Sequence, residues 1–143
     1  MRMPLKDRLG SDIKRVEADL MAAKHAAVKP SGLTVPQFAA LLILEDSPGI
    51  SPAELARRCR VTPQTMTTVL QNLTTRGFIE RTAHPFHRSM LETRLTETGA
   101  TTLAEADQRA SAVERRLADA FTESERATLR ALLDRCSEAL TGE

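Results

Sequence analysis

Two dipeptides, Ser51-Pro52 and Thr62-Pro63, constrain the fold of this chain more than any other feature of its 143 residues. A Ser or Thr hydroxyl accepts from the unpartnered backbone N–H groups at a helix start. Pro suits the first helical position, because its φ is preset and its missing N–H would have no partner there. Each pair therefore marks a helix start. Behind the first, Glu54 stands at the reciprocal capping position, with Leu55, Ala56 and Cys59 as an inner face. Behind the second, a helix runs to Arg76 and is ended by Gly77. Two capped helices joined by so short a link form a helix-turn-helix. Residues 78–82 and 91–95 then read as short strands flanking a turn-like segment with Pro85, a hairpin that makes a wing. Residues 51–95 are thus expected to be a winged helix-turn-helix.

The chemistry of the second helix follows from its 100° repeat. With Met66 at the centre of the inner face, Val69, Leu70 and Leu73 fall beside it. The opposite face centres on Gln64, Thr68, Gln71 and Thr75, with Thr65, Thr67 and Asn72 on its flanks. All of these are polar and uncharged, whereas an ordinary solvated face is rich in Lys and Glu. Gln and Asn donate and accept together and so pair bidentately with adenine; a Thr hydroxyl bonds either base edge, and its methyl touches that of thymine. The face is expected to read duplex DNA, with Thr62 at its start. An ordinary solvated helix is the plainer alternative. Arg57, Arg58 and Arg60 before the helix and Arg76 and Arg81 after it are placed for phosphates. Arg88 lies in the hairpin, where an arginine can enter the minor groove.

Charge agrees once it is divided along the chain. Residues 51–95 carry 7 Lys/Arg against 3 Asp/Glu, or +4, and residues 96–143 carry 6 against 10, or −4, within a net +1. A basic centre on an acidic scaffold is the pattern of a DNA-reading module. Aromatic residues are only 3%, which favours helices over a β-rich fold, so the fold class is mainly α.

On either side the apolar residues recur at helical spacing. Leu5, Leu9, Ile13, Val16, Leu20, Ala23 and Ala27 form one stripe of a helix over residues 5–28, ended by Pro30, Ser31 and Gly32. Thr34 and Gln37 form a capping box before the apolar residues Phe38, Leu41, Leu42 and Leu44, a segment expected to be central. Thr96 opens a long helix with Leu103, Ala106, Ala110, Val113 and Leu117. Thr122 and Glu125 cap a last one with Leu129, Leu132, Leu133, Cys136 and Leu140. The terminal stripes cannot be buried within so small a lobe, so they are expected to pack on each other and on a second copy of the chain. The division expected within this single domain is a DNA-binding lobe over residues 34–95, with dimerisation helices over 1–33 and 96–143.

No apolar run approaches the roughly 18 residues needed to span a bilayer, and residues 1–10 lack a signal-peptide core, so the protein reads as cytoplasmic with no membrane partner. Cys59 and Cys136 have no metal-ligand or disulfide spacing and are expected to be buried small hydrophobes.

With these elements in place, the chain resembles the multiple-antibiotic-resistance regulator (MarR) family over nearly its whole length. Helix order, the segment SPAELARRCRVTPQTMTTVLQNLTTRGFIER over residues 51–81 and RLTETG over 94–99 carry the resemblance. It implies an obligate homodimer, triangular in outline, whose recognition helices enter successive major grooves of a palindromic operator about 34 Å apart. It also implies repression relieved by a small ligand or by oxidation. A ligand is implied in the cleft between the dimerising helices and the winged lobe, where Lys24 and His25 could serve an anionic aromatic; both can equally be surface residues at a helix end. The wing departs from the family style DPxDRR: His84 and His87 replace the acids and Ser89 one arginine, so Arg88 lacks the carboxylate that would hold it. The two histidines are open to phosphate binding, to half a metal site, or to simple solvation. The reactive N-terminal cysteine of the oxidation-sensing branch has no counterpart.

An enzyme reading finds no Gly-rich phosphate loop, no nucleophile elbow and no His/acid cluster, so neither cofactor nor metal is implied. A winged helix that binds only proteins should centre on apolar or aromatic anchors, which the face around Gln64 and Thr68 lacks.

Overall fold

A computed structural model describes residues 1–83, 86 and 91–142, with residue 91 described in its backbone alone. The chain divides into two compact units, residues 1–110 and 111–143.

The first unit opens with a short 3-10 turn, Leu5–Asp7, followed by α1, Leu9–Val28. The helix begins four residues later than its stripe predicts, because Arg8 is extended (φ −89°, ψ 102°) and its guanidinium donates back to the Met3 carbonyl at 3.1 Å. After a second 3-10 turn, Lys29–Ser31, comes α2, Val35–Asp46. Its capping box is complete: Gln37 N–H donates to Thr34 Oγ1 at 3.3 Å, and Thr34 N–H to Gln37 Oε1 at 3.0 Å. As expected α2 is central, with Ala40, Leu41 and Leu44 excluded from water.

α3, Pro52–Arg58, and α4, Pro63–Thr75, pack beneath it. Their inner faces are those the spacing predicts. Leu55, Met66 and Leu73 join Leu41, Leu44 and Leu103 at the centre of the core. At roughly 1.5–3 kcal/mol for each large side chain removed from water, this cluster is what holds the short helices in place.

Gly77, at φ 77°, ends α4 and turns the chain into β1, Ile79–Ala83. β1 pairs antiparallel with β2, Leu91–Leu95, in a register that sets Ile79 against Leu95 and Ala83 against Leu91. The hairpin is tied down at its base, where Gly49 N–H donates to the Thr93 carbonyl and Glu92 lies buried against Gly49.

Thr96 starts α5, Glu97–Asp119, accepting from Gly99 N–H at 3.0 Å and donating to the Gly77 carbonyl at 2.6 Å. Here α5 passes directly over Phe78: a Cβ on Gly99 would sit 1.9 Å from the Phe78 carbonyl oxygen.

In the second unit the last turns of α5 lead to α6, Glu123–Thr141, which starts with the predicted Thr122–Glu125 capping box. Arg126 closes the corner by donating to the carbonyls of Ala118 at 2.8 Å and Phe121 at 3.1 Å. α6 buries no residue. Leu129, Leu132, Leu133 and Leu140 are exposed, as are Leu9, Ile13, Val16 and Met21 of α1. Among the described residues no single helix is long and apolar enough to cross a membrane.

The cysteines depart from expectation, since both are only half-buried. Cys59 is the residue that ends α3 rather than one inside it, so one side of its thiol faces away from the core. Burial of the other side still pushes the thiol pKa up, against the opposing pull of Arg58.

Candidate nucleic-acid interface

The recognition helix is built from its cap. Thr62 Oγ1 accepts from Thr65 N–H at 3.1 Å and donates to Thr65 Oγ1 at 3.0 Å, which fixes the entry of the chain into α4. From there Met66, Val69, Leu70 and Leu73 are buried, whereas Gln64, Thr65, Thr67, Thr68, Gln71, Asn72 and Thr75 are all exposed. The uncharged polar face is therefore real and continuous along the helix.

Its hydroxyls are already ordered. Thr67 Oγ1 donates to the Pro63 carbonyl at 2.9 Å and Thr68 Oγ1 to that of Gln64 at 3.3 Å. Such back-bonding uses the hydroxyl proton and locks χ1, leaving the oxygen as an acceptor. Asn72 is partly engaged as well: its Oδ1 accepts from Gln37 Nε2 at 3.0 Å, a bond between α4 and the start of α2.

The arginines divide into held and unheld. Glu54 does not complete the expected capping box. Ser51 Oγ accepts from Glu54 N–H at 3.1 Å, but the carboxylate turns instead to Arg57, taking Nε at 2.9 Å and also Nη2. A charge-assisted fork outcompetes a neutral N–H. It also holds the Glu54 carboxyl below the usual carboxylate range. Arg58 donates to Ser47 Oγ at 2.8 Å and to Asp46 Oδ2 at 3.3 Å, tying α3 to the end of α2. Arg76 donates to the Gly32 carbonyl at 2.7 Å and lies over the Phe78 ring, 4.7 Å from its centroid.

Arg60 is different. It sits in the turn between α3 and α4 with φ 58°, the one positive-φ residue other than glycine among those described. A left-handed conformation costs an L-residue about 1–2 kcal/mol, so the turn retains a cation where glycine would be easier. Arg81 is exposed on β1, beside an open groove of about 1140 Å³ that Thr67, Gln71 and Thr75 also line. Arg88, with His84, His87 and Ser89, lies outside the described residues. Lys24, half-buried, and His25, exposed, occupy the last turns of α1, an element distinct from the reading face.

Sequence reasoning missed two contacts that hold α4 from outside, Gln37 to Asn72 and Arg76 to Gly32, and one that ties α5 to the end of α1: Arg109, whose Nε donates to the Ala27 carbonyl at 2.6 Å while Nη2 bonds Ser31. Their partners are 35 to 82 residues apart in the chain, and helical periodicity carries no signal at that range.

A family model described as MarR family matches residues 31–88. The HTH-type transcriptional repressor Rv2887 of Mycobacterium tuberculosis is 36% identical over 127 residues, covering 89% of this chain and 91% of that protein. This chain belongs to the MarR family. Solved structures of MarR relatives share the fold. Rv2887 in complex with p-aminosalicylic acid matches with a TM-score of 0.71 at 35% identity, over 94% of this chain and 99% of that one. The transcriptional repressor CouR bound to a 23-mer DNA duplex matches with a TM-score of 0.80 at 28% identity, over 96% and 99%. In this MarR-family chain the winged helix-turn-helix is thus the family's own element, and its relatives are transcriptional regulators.

Proposed function

We propose that this MarR-family chain is a ligand-responsive transcriptional repressor that binds a palindromic operator as a homodimer. One observation carries the reading: α4 exposes a face of Gln64, Thr65, Thr67, Thr68, Gln71 and Asn72 with no charge on it, directly opposite a fully buried apolar face. Such a face suits base edges in a major groove. Thr62 positions it. Arg60 and Arg81 neutralise phosphates, with Arg88 in the wing; Arg57, Arg58 and Arg76 reach the backbone only by sharing or releasing their present partners.

In this reading residues 34–95 are the DNA-binding lobe, and residues 1–33 and 96–143 dimerise. The exposed leucines of α6 and the Leu9, Ile13, Val16 and Met21 side chains of α1 support that division, since apolar patches of this kind mark interfaces. The effector is an anionic aromatic, the class of ligand that Rv2887 holds, with Lys24 and His25 as its candidate contacts. The protein acts in the cytoplasm as a regulator rather than an enzyme.

The test is fluorescence anisotropy on duplex from the region upstream of the protein's own gene. Gln64→Ala or Thr68→Ala should weaken specific binding by about 1–3 kcal/mol and relax sequence preference. Unchanged affinity and preference in both variants would refute the assignment. Sedimentation showing a stable folded monomer at micromolar concentration would refute the dimer.

A further inference from the structure

We propose that this chain reads an A·T core in each operator half-site, through thymine methyls and adenine edges, and has no guanine reader in the major groove. The inference rests on the DNA-binding reading above and adds to it the kind of base pair that is read.

The hydroxyl geometry comes first. Thr67 and Thr68 each give their proton to a carbonyl one turn back. A free threonine can turn either its hydroxyl or its methyl toward a base; these two cannot, because the bond fixes χ1. What Thr68 presents at the centre of the face is a methyl group and an oxygen that only accepts. Thymine C5-methyl matches the first, and adenine N6–H₂ on the paired strand matches the second. Guanine offers only acceptors, N7 and O6, in the major groove, so an acceptor-only hydroxyl meets it unfavourably; cytosine N4–H₂ donates as adenine N6–H₂ does, so it is the methyl, matched to thymine, that selects A·T.

The amides agree. Gln64 and Gln71 are exposed on the same face, and a glutamine amide pairs bidentately with adenine N6 and N7. They are two helical turns apart, about 10.5 Å of rise, close to three base-pair steps of about 3.4 Å. The span from Gln64 through Thr68 to Gln71 thus fits one short A·T run.

The absence of a guanine reader is equally specific. Arginine or lysine, bidentate to guanine, is the commonest base contact in specific complexes, and α4 contains neither. The arginines bordering it are committed elsewhere: Arg57 to Glu54, Arg58 to Asp46 and Ser47, Arg76 to Gly32 and Phe78. Arg60 and Arg81 lie off the helix, on the turn and on β1.

The experiment is selection of binding sites by the full chain from a random duplex pool, followed by base-analogue substitution in the winning site. The expected core is A·T. Replacing thymine by uracil under Thr68 should weaken binding about threefold to fivefold, and Thr68→Ser, which keeps the hydroxyl and removes the methyl, should abolish that difference. Replacing adenine by 7-deazaadenine should weaken binding more than tenfold, an effect lost in Gln64→Leu or Gln71→Leu. Replacing guanine by 7-deazaguanine at the G·C pairs flanking the core should change nothing. Selection of a G·C core, or a loss on 7-deazaguanine substitution that Arg60→Ala removes, overturns the A·T inference and leaves the DNA-binding reading intact. Equal binding to all duplexes overturns that reading as well.

Discussion

Replacing Gly99 with Ala adds a single methyl group to a helix, a change that ordinarily raises stability by about 1 kcal/mol. At Gly99 the added carbon would lie 1.9 Å from the Phe78 carbonyl oxygen, 2.8 Å from its carbonyl carbon and 3.1 Å from its Cα. All three are backbone atoms, so no side chain can swing aside, and either α5 or the start of β1 has to move by more than about 1 Å. That movement costs about 1–3 kcal/mol or more as overpacking. It also breaks the bond from Thr96 N–H to the same Phe78 carbonyl, now 3.0 Å long, for about another 1 kcal/mol. Against the propensity gain, the net loss should be about 1–3 kcal/mol, or roughly 2–12 °C in Tm. The assay is thermal or urea unfolding at one fixed protein concentration, with Gly10→Ala as the control. Gly10 lies in α1 with nothing within 4 Å of its would-be Cβ, so that variant should be neutral or slightly stabilised. If Gly99→Ala matches Gly10→Ala, the close crossing of α5 over Phe78 is refuted. Because Phe78 leads into β1, Gly99→Ala should also weaken DNA binding by displacing the wing.

Arg60→Gly relieves the left-handed strain at φ 58°, so unfolding should show unchanged or up to about 1 kcal/mol higher stability. DNA affinity should nevertheless fall, with the slope of log K against log salt reduced by about 1; an unchanged slope would remove Arg60 from the phosphate contacts. Arg76→Lys keeps the charge but loses the guanidinium hydrogen bond to Gly32 and the stacking on Phe78. It should lower Tm in the DNA-free protein and leave the salt slope unaltered, whereas a pure phosphate contact would show neither loss of Tm nor loss of affinity. The Glu125 carboxyl is held below the usual range by hydrogen bonds from Thr122. Its contribution to α6 is therefore complete above the unfolded carboxyl pKa and disappears as pH falls through the lower folded value. Carbon-13 NMR should show Glu125 titrating below the usual glutamate range, and a normal titration would deny the capping box in solution. Burial raises the Cys59 thiol pKa, so in a Cys136→Ser background its alkylation near neutral pH should be slower than that of free cysteine and should accelerate with pH.

Much of the candidate site was legible because it is local. Caps at Thr34, Ser51, Thr62 and Thr122 act within three residues, and the inner face of α4 follows from a fixed angle per residue. Where local rules compete, the sequence is ambiguous. Glu54 could cap Ser51 or pair with Arg57, and only the assembled geometry shows the second. Arg8 interrupts a stripe that periodicity alone carries back to Leu5.

The arginines show the larger difference. In the sequence Arg57, Arg58, Arg60 and Arg76 are equivalent cations beside a recognition helix. In the structure three of them are tied to Glu54, Asp46 and Gly32, and one stands on a strained turn. By itself the sequence determined the helix-turn-helix and the uncharged face from Gln64 to Gln71, because caps and periodicity depend only on near neighbours. Tertiary structure alone decided that Arg76 is held at Gly32 and why residue 99 is a glycine. Those depend on backbone atoms that the sequence places far apart and only the packed core brings together.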